Sequence, residues 1–197
     1  MVRRVLVASV VAIVLCTAVF GFAYPVLVTG IGQAAFPSQA DGSLVTYNGR
    51  VVGSTLAAQL FSSPALFHER PSATTPAYNA AFTTFSNLGP TNPALAKLVH
   101  ANAEAVLRLE RPYNPGLTLR QIPVDAVVPS ASGIDPDVSL AYAHLQAARV
   151  AAVRHLPLAM VDNLIGENTQ GRWLGLFGEP GVNVFELNLA LMKLGAK

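Results

Sequence analysis

No charged residue stands between Arg4 and Asp41, and within that stretch Val5 to Val28 is an almost continuous apolar run. Ser9 and Thr17 are its polar interruptions. As a helix, these 24 residues reach roughly 36 Å at about 1.5 Å each, enough to cross a hydrocarbon core of about 30 Å with some tilt. The rest of the chain is too polar, and too often punctuated by Pro and Gly, to cross again. The sequence therefore predicts residues 1–4 as a cytoplasmic tail, 5–28 as a transmembrane helix and 29–197 as a single extracytoplasmic domain.

Sidedness follows from the flanks. Arg3 and Arg4 precede the run, and no basic residue follows it before Arg50. Lys and Arg near a span prefer the cytoplasm, which puts the amino terminus inside and the domain outside. A cleaved secretory signal is the competing reading, but its apolar region is typically only about 7–15 residues long. The end of the run, Gly21-Phe22-Ala23-Tyr24-Pro25, also makes a poor cleavage site, and bulky Leu15 before Cys16 argues against a lipoprotein anchor. A retained anchor is the expectation.

Cys16 is the sole cysteine and lies inside the run, so no intramolecular disulfide or cysteine metal site is available. Setting aside Arg3 and Arg4, the exported part has 11 basic and 11 acidic residues. A neutral domain with scattered signs has no electrostatic footprint for nucleic acid.

Along the domain, Ser43–Tyr47 and Arg50–Gly53 flank Asn48-Gly49, the preferred pair for a type I′ hairpin turn. Ser54 is expected to cap a short helix to about Phe61. Residues 62–93 hold five prolines and no period, yet Phe67, Tyr78, Phe82 and Phe85 need somewhere to pack. They read as an ordered, irregular segment. Asn92-Pro93 opens a helix that Pro112 stops, with Leu95, Leu98, Val99, Val106 and Leu109 on one face. His100 points away from that stripe and reads as a solvated histidine.

A strand is expected over Leu119–Val128, pushed toward a sheet edge by Pro123. Ser139 caps an alanine-rich helix to about His155, packing through Leu140, Ala143, Ala147, Val150 and Ala151. His144 falls within that face and is expected to be a buried core histidine. Pro157 starts a helix through Ile165, and Trp173–Phe177 reads as a strand. Asn183 with Glu186 forms a capping box for a last helix carrying Val184, Leu187, Leu191 and Leu194, which Gly195 ends. Strands and helices do not alternate regularly, so the expected class is α+β.

Motifs for chemistry are sparse. There is no Gly-x-Ser-x-Gly elbow and no phosphate-binding P-loop. The four histidines show no repeated metal-ligand spacing. Ser72, His68 and Asp125 or Asp135 would form a triad only if the fold brought them together. Polar residues gather instead in turns: 67–73, 86–92, 130–136 and 178–180. Such turns either hold backbone or form a docking surface or small-molecule crevice on a rigid scaffold.

Those turns carry a resemblance. Phe67-His68-Glu69-Arg70-Pro71-Ser72-Ala73, Ser86-Asn87-Leu88-Gly89, Asn92-Pro93, Ile122-Pro123-Val124-Asp125 and Ser130-Ala131-Ser132-Gly133-Ile134-Asp135-Pro136 stand in order along the chain. With Tyr24-Pro25, Ala40-Asp41-Gly42-Ser43, Arg149-Val150-Ala151, Gly178-Glu179-Pro180-Gly181-Val182-Asn183-Val184 and Glu186 to Leu191, this order resembles the KdpC subunits of bacterial potassium-transporting ATPases. Glu69 stands where that family usually has Gly, Asp41 replaces a common Asn, and Thr83-Thr84-Phe85 replaces a Ser/Gly-rich turn.

The resemblance implies an accessory subunit, without an active site of its own, of a high-affinity K⁺ uptake complex in the bacterial cytoplasmic membrane. Its implied partners are a KdpA-like translocating subunit, a KdpB-like P-type ATPase subunit, a small KdpF-like peptide and the lipid bilayer, with no nucleic acid. It implies no cofactor of its own, ATP and Mg being bound by the complex, and a catalytic chaperone's role in raising the pump's affinity for ATP. Positive-inside topology puts the domain across the membrane from ATP, so an indirect effect is the expectation.

The expected docking or ion-access residues are His68, Glu69, Arg70, Ser72, Ser86, Asn87, Asn92, Ser132, Asp135, Asp137, Glu179 and Asn183. Glu69, Asp135 and Asp137 are expected to attract K⁺. The alternatives are a membrane-tethered extracytoplasmic enzyme, a small-molecule-binding protein acting alone, and a nucleotide-binding regulator.

Overall fold

The computed structural model of the chain describes residues 1–194, which puts the expected helix end at Gly195 outside the described residues. Two compact units divide the chain, Met1–Val52 and everything from Gly53 onward.

The first unit is dominated by one continuous apolar helix, Val2–Ala35, none of whose residues is buried in the protein. It comprises α1 (Val2–Cys16), a π-helical stretch (Thr17–Ala23) and α2 (Tyr24–Ala35). The wide turns have a cause in Pro25, whose ring crowds the carbonyl four residues back. Just before it, the Tyr24 N–H donates to Val19 O, five residues back rather than four.

The helix is longer than the apolar run because uncharged residues continue past Val28. It ends where Pro37 forces the preceding residue out of helical geometry, with Phe36 at φ −140°, ψ 57°. After a single turn, α3 (Pro37–Ala40), β1 (Leu44–Tyr47) and β2 (Arg50–Ser54) form the expected hairpin. Asn48 and Gly49 take φ 50° and 75°, the left-handed pair that a type I′ turn requires.

In the second unit, α4 (Pro93–Glu110), α5 (Leu140–Arg154), α6 (Leu158–Glu167) and α7 (Val184–Leu194) surround a small antiparallel sheet. The sheet is β3 (Asp137–Ser139), β5 (Gly181–Asn183) and β4 (Thr169–Gln170), with β5 in the middle. Its register sets Asp137 opposite Asn183 and Val138 opposite Val182. This is the α+β mixture the sequence predicts. The core sits where Ala143, Ala147 and Val150 of α5 meet Val161 and Ile165 of α6, Leu187 and Leu191 of α7, and Val182. Small residues on α5 let its neighbour approach closely.

Caps fall where the residue types predict. Asn92 Oδ1 accepts from Ala94 N at 2.9 Å, and Ser139 Oγ accepts from Tyr142 N at 3.1 Å. Asn183 Oδ1 accepts from Glu186 N at 3.0 Å. Each satisfies a helix-start N–H that has no partner within its own helix.

Five expectations fail. Phe82 and Phe85, expected to pack, are exposed, at 69% and 54%. Ser54 starts no helix: its Oγ accepts from Leu56 N at 3.1 Å in a local turn, after which the chain runs without regular structure. Leu119–Val128 is not a strand but two 3₁₀ turns, Leu119–Gln121 and Val124–Ala126, separated at Pro123. Thr118 and Gln121 close a capping box on the first, a local pairing that outcompetes extension.

Trp173–Phe177 is an exposed tight turn with one bridge across its ends, Trp173 N donating to Phe177 O at 2.8 Å. His144 is half-exposed and pairs with Asp162 of α6 at 3.0 Å, because it lies at the margin of the α5 face, next to buried Ala143. His100 is exposed as expected, with Glu104 one helical turn on at 3.7 Å.

Candidate functional site

Residues 62–92 carry no helix or sheet ladder, yet their first half is fixed in the interior by side chains from distant helices. Phe67 is wholly buried. Its backbone N–H donates to Asn188 Oδ1 at 2.8 Å, and its carbonyl accepts from Asn188 Nδ2 at 2.9 Å. The next residue repeats the pattern: His68 N donates to Gln146 Oε1 at 2.7 Å, and His68 O accepts from Gln146 Nε2 at 3.0 Å. An amide side chain has both donor and acceptor atoms, so each can pair with a backbone N–H and C=O as a neighbouring strand would.

Arg149, wholly buried, completes the clamp. Its guanidinium donates to Glu110 Oε1 at 2.8 Å, to Leu66 O at 2.9 Å, to Gln146 Oε1 at 2.9 Å and to Pro64 O. Burial pushes the Glu110 carboxyl above its ordinary range, against the pull of Arg149.

This clamp positions the predicted turns. Ser72 Oγ donates to Gly133 O at 2.7 Å, and Arg70 Nη1 meets Asp135 Oδ2 at 2.8 Å, tying loop 67–74 to loop 130–135. Gly133 has φ +73°, and a Cβ there would come within 2.6 Å of Thr74 Cγ2 and 2.8 Å of Thr84 O. Glycine is needed for the two loops to touch. Ser132 Oγ accepts from Ile134 N at 3.2 Å, shaping the second loop.

Two crevices result. The first, about 380 Å³, gathers Arg70, Asp125, Asp135, Asp137 and Glu179. Of the expected residues it thus brings together Arg70, Asp135, Asp137 and Glu179. Burial, then the charge of Asp135, raises the Asp137 carboxyl, with an Asn183 hydrogen bond working the other way. Glu179 is exposed and takes two 3.0 Å bonds from Arg172.

The second crevice, about 340 Å³, is lined by His68, Glu69, Tyr78 and Tyr142 together with apolar Phe61 and Val106. Glu69 is only 4% exposed, and neither carboxyl oxygen makes a hydrogen bond of ordinary geometry. Burial raises it to about 9; the Gln59 backbone opposes the shift, and Asp135 and Asp137 add to it. Burial of Glu69 thus favours its protonated form, whereas the expected role in attracting K⁺ calls for an exposed carboxylate. The same burial lowers His68, with Arg149 adding to the effect, so His68 is neutral there.

The remaining expected residues serve structure or stand apart. Asn183 is buried, caps α7 and donates to Thr55 O at 2.9 Å. Asn92 caps α4. Asn87 sits in a turn with φ 53°, and Ser86, Asn87 and Asn92 line neither crevice.

No triad assembles from Ser72 and His68. The histidine ring meets Ser63 O at 3.1 Å, Asp135 pairs with Arg70, and Asp125 accepts from Ser139 N and Oγ. Gln146, Asn188 and Glu110 were not singled out from sequence. The available signal was polar side chains inside apolar helix faces, such as Asn188 between Leu187 and Leu189.

One apolar helix of membrane-spanning length followed by a mixed α/β domain is the architecture of a single-pass membrane protein. The family model described as KdpC, the K⁺-transporting ATPase c chain, matches residues 6–193. A potassium-transporting ATPase KdpC subunit of Variovorax paradoxus is 50% identical over 190 residues, covering 96% of each chain. That of Sorangium cellulosum is 51% identical over 184 residues, covering 93% of this chain and 94% of its own. That of Methylococcus capsulatus is 50% identical over 176 residues, 89% and 90% of the two chains. The chain belongs to the KdpC family and is an accessory subunit of the potassium-transporting ATPase complex, not an enzyme in its own right.

Proposed function

We propose that this subunit sits in the cytoplasmic membrane with Arg3 and Arg4 inside and its domain outside. There it joins a KdpA-like translocating subunit, a KdpB-like P-type ATPase subunit and a small KdpF-like peptide. Its task is to hold the translocating subunit in a competent arrangement. Stabilising one state of an assembly changes ligand affinity at a distant site, so the subunit promotes ATP binding by the pump without touching the nucleotide.

The observation that supports this reading is the braced pair of loops, 67–74 and 130–135, beside a crevice of four carboxylates, Asp125, Asp135, Asp137 and Glu179. Loops fixed from behind by buried bonds present a ready-made docking surface, since little order has to be gained on contact. Acidic groups at an entrance raise the local concentration of a cation.

Asp135→Asn with Asp137→Asn in the intact complex should weaken uptake at low K⁺ and low ionic strength, and added salt should narrow the difference. Unchanged transport affinity would remove the ion-access part of the reading. Gentle solubilisation tests the rest. The subunit should migrate with large membrane partners, and migration alone would favour a tethered protein acting by itself.

A further inference from the structure

The crevice over Glu69 is not explained by docking. It is lined by Glu69, a residue only 4% exposed, whose carboxyl has the Gln59 backbone close by but no hydrogen bond of ordinary geometry. A buried carboxyl so poorly paired is costly, so such a group beside a cavity points to something that completes it. The surroundings define what. Leu60, Phe61 and Val106 give an apolar wall, Tyr78 and Tyr142 give aromatic surface, and the volume lies at the small end of organic ligand sites.

Glu69 is the one carboxylate of the lining, whose other side-chain oxygens are the neutral ones of Ser62, Asn102, Tyr78 and Tyr142. Among the described residues no group of three or more His, Cys, Asp or Glu forms a metal cluster. An apolar stem with a cationic head fits both halves of the crevice, and aromatic walls favour organic cations.

We propose that this crevice binds a primary alkylammonium group, its head on the Glu69 carboxylate and its stem along Leu60, Phe61 and Val106. The chemistry is the same for a free amine and for a lysine side chain of a partner.

Binding exchanges a proton for the ligand. The neutral Glu69 carboxyl releases H⁺ to solvent, and the carboxylate then pairs with the ammonium, which keeps its own three protons. With Glu69 raised to about 9, apparent affinity should rise about tenfold per pH unit from 7 to 9 and then level off. The other groups do not reverse this trend. His68 is lowered, Tyr78 is raised to about 12 and Tyr142 is raised further, so all are neutral throughout. Asp135 and Asp137 act on Glu69 as like charges that a bound cation screens, while Arg70 pairs with Asp135 and Arg149 with Glu110.

The test is titration of the purified full chain in detergent with n-butylammonium chloride, by calorimetry in buffers of different ionisation enthalpy. Saturable binding is expected, about tenfold tighter at pH 8.5 than at pH 7.5, with about one proton released per ligand at pH 7.5. Glu69→Gln and Glu69→Gly, the second removing the carboxyl without adding bulk, should weaken binding at least tenfold and abolish proton release.

A second titration on the intact complex identifies the source. Binding there as well supports a free amine, and its loss there supports a partner's lysine. Absence of saturable binding at pH 8.5, equal binding by both variants, or equal saturation by potassium chloride would overturn the proposal. Because the site lies in the isolated chain, its failure leaves the subunit assignment standing.

Discussion

Residues 64–74 and residues 171–178 both lie outside the helices and the sheet, but they are built in opposite ways. The first stretch buries Phe67, Glu69 and Thr74 and is held by side chains from residues 78 to 121 positions away. The second turns outward, exposing Trp173, Leu174, Leu176 and Phe177, each at least 60% accessible. It is closed by a local bridge and by the exposed Arg172–Glu179 pair. Exposed ion pairs stabilise by only about 0–1 kcal/mol. The difference separates framework from contact surface: irregular chain braced by buried polar groups is structural, and irregular chain with bare apolar side chains is free to meet something else.

The largest effect should come from the brace itself. Arg149→Met leaves the Glu110 carboxylate buried without its partner and removes the donor to Pro64 O and Leu66 O, and should destabilise the domain by about 3–5 kcal/mol in denaturant unfolding followed by circular dichroism. Adding Glu110→Met should restore much of that loss. If the single variant costs under about 1 kcal/mol, the brace is not what orders residues 64–68.

Glu69 gives the next effect, with a definite sign. The unfolded chain releases this proton near 4.5 and the folded chain near 9, so between those values the folded state binds more protons. Stability from this group is fully present below about 4.5 and is lost as pH rises toward 9, by about 1.4 kcal/mol per unit. Glu69→Gln should flatten that slope, making the variant more stable than the parent at pH 8. Parallel pH profiles for parent and variant would contradict the buried, protonated state.

Asn188→Ala should cost about 1–3 kcal/mol, because it strands both the N–H and the carbonyl of Phe67. Smallest is the outward turn. Trp173→Ser with Leu176→Ser should change domain stability by less than about 0.5 kcal/mol. A loss above about 1 kcal/mol would mean that the turn packs within the fold and that the contrast is misdrawn.

How much was legible in the sequence follows the same divide. Asn48-Gly49, Asn92-Pro93, Ser139 and Asn183 specify their turns and caps through neighbours within a few residues, and they could be read directly. The apolar helix was legible from its length and its lack of charge, although Pro25's effect on its hydrogen-bond register was not. Leu119–Val128 misled because β-branched residues suggest a strand, while Thr118, Gln121 and Pro123 close short turns first. Trp173–Phe177 misled because an apolar run implies burial, and here it is exposed.

The candidate site was half legible. Polar turns at 67–73 and 130–136 were visible, and so were Asp135 and Asp137. That Arg70 would meet Asp135, or that Glu69 would be buried and protonated, depends on contacts across 60 or more residues that no local pattern encodes.

Amide hydrogen exchange of the full chain tests the contrast most directly. The Phe67 and His68 N–H groups donate to Asn188 and Gln146, so they should exchange as slowly as the amides in the middle of α5, despite lying in no helix or strand. Leu174 and Leu176 should exchange orders of magnitude faster. Phe67 and His68 exchanging as fast as Leu174 would contradict the account.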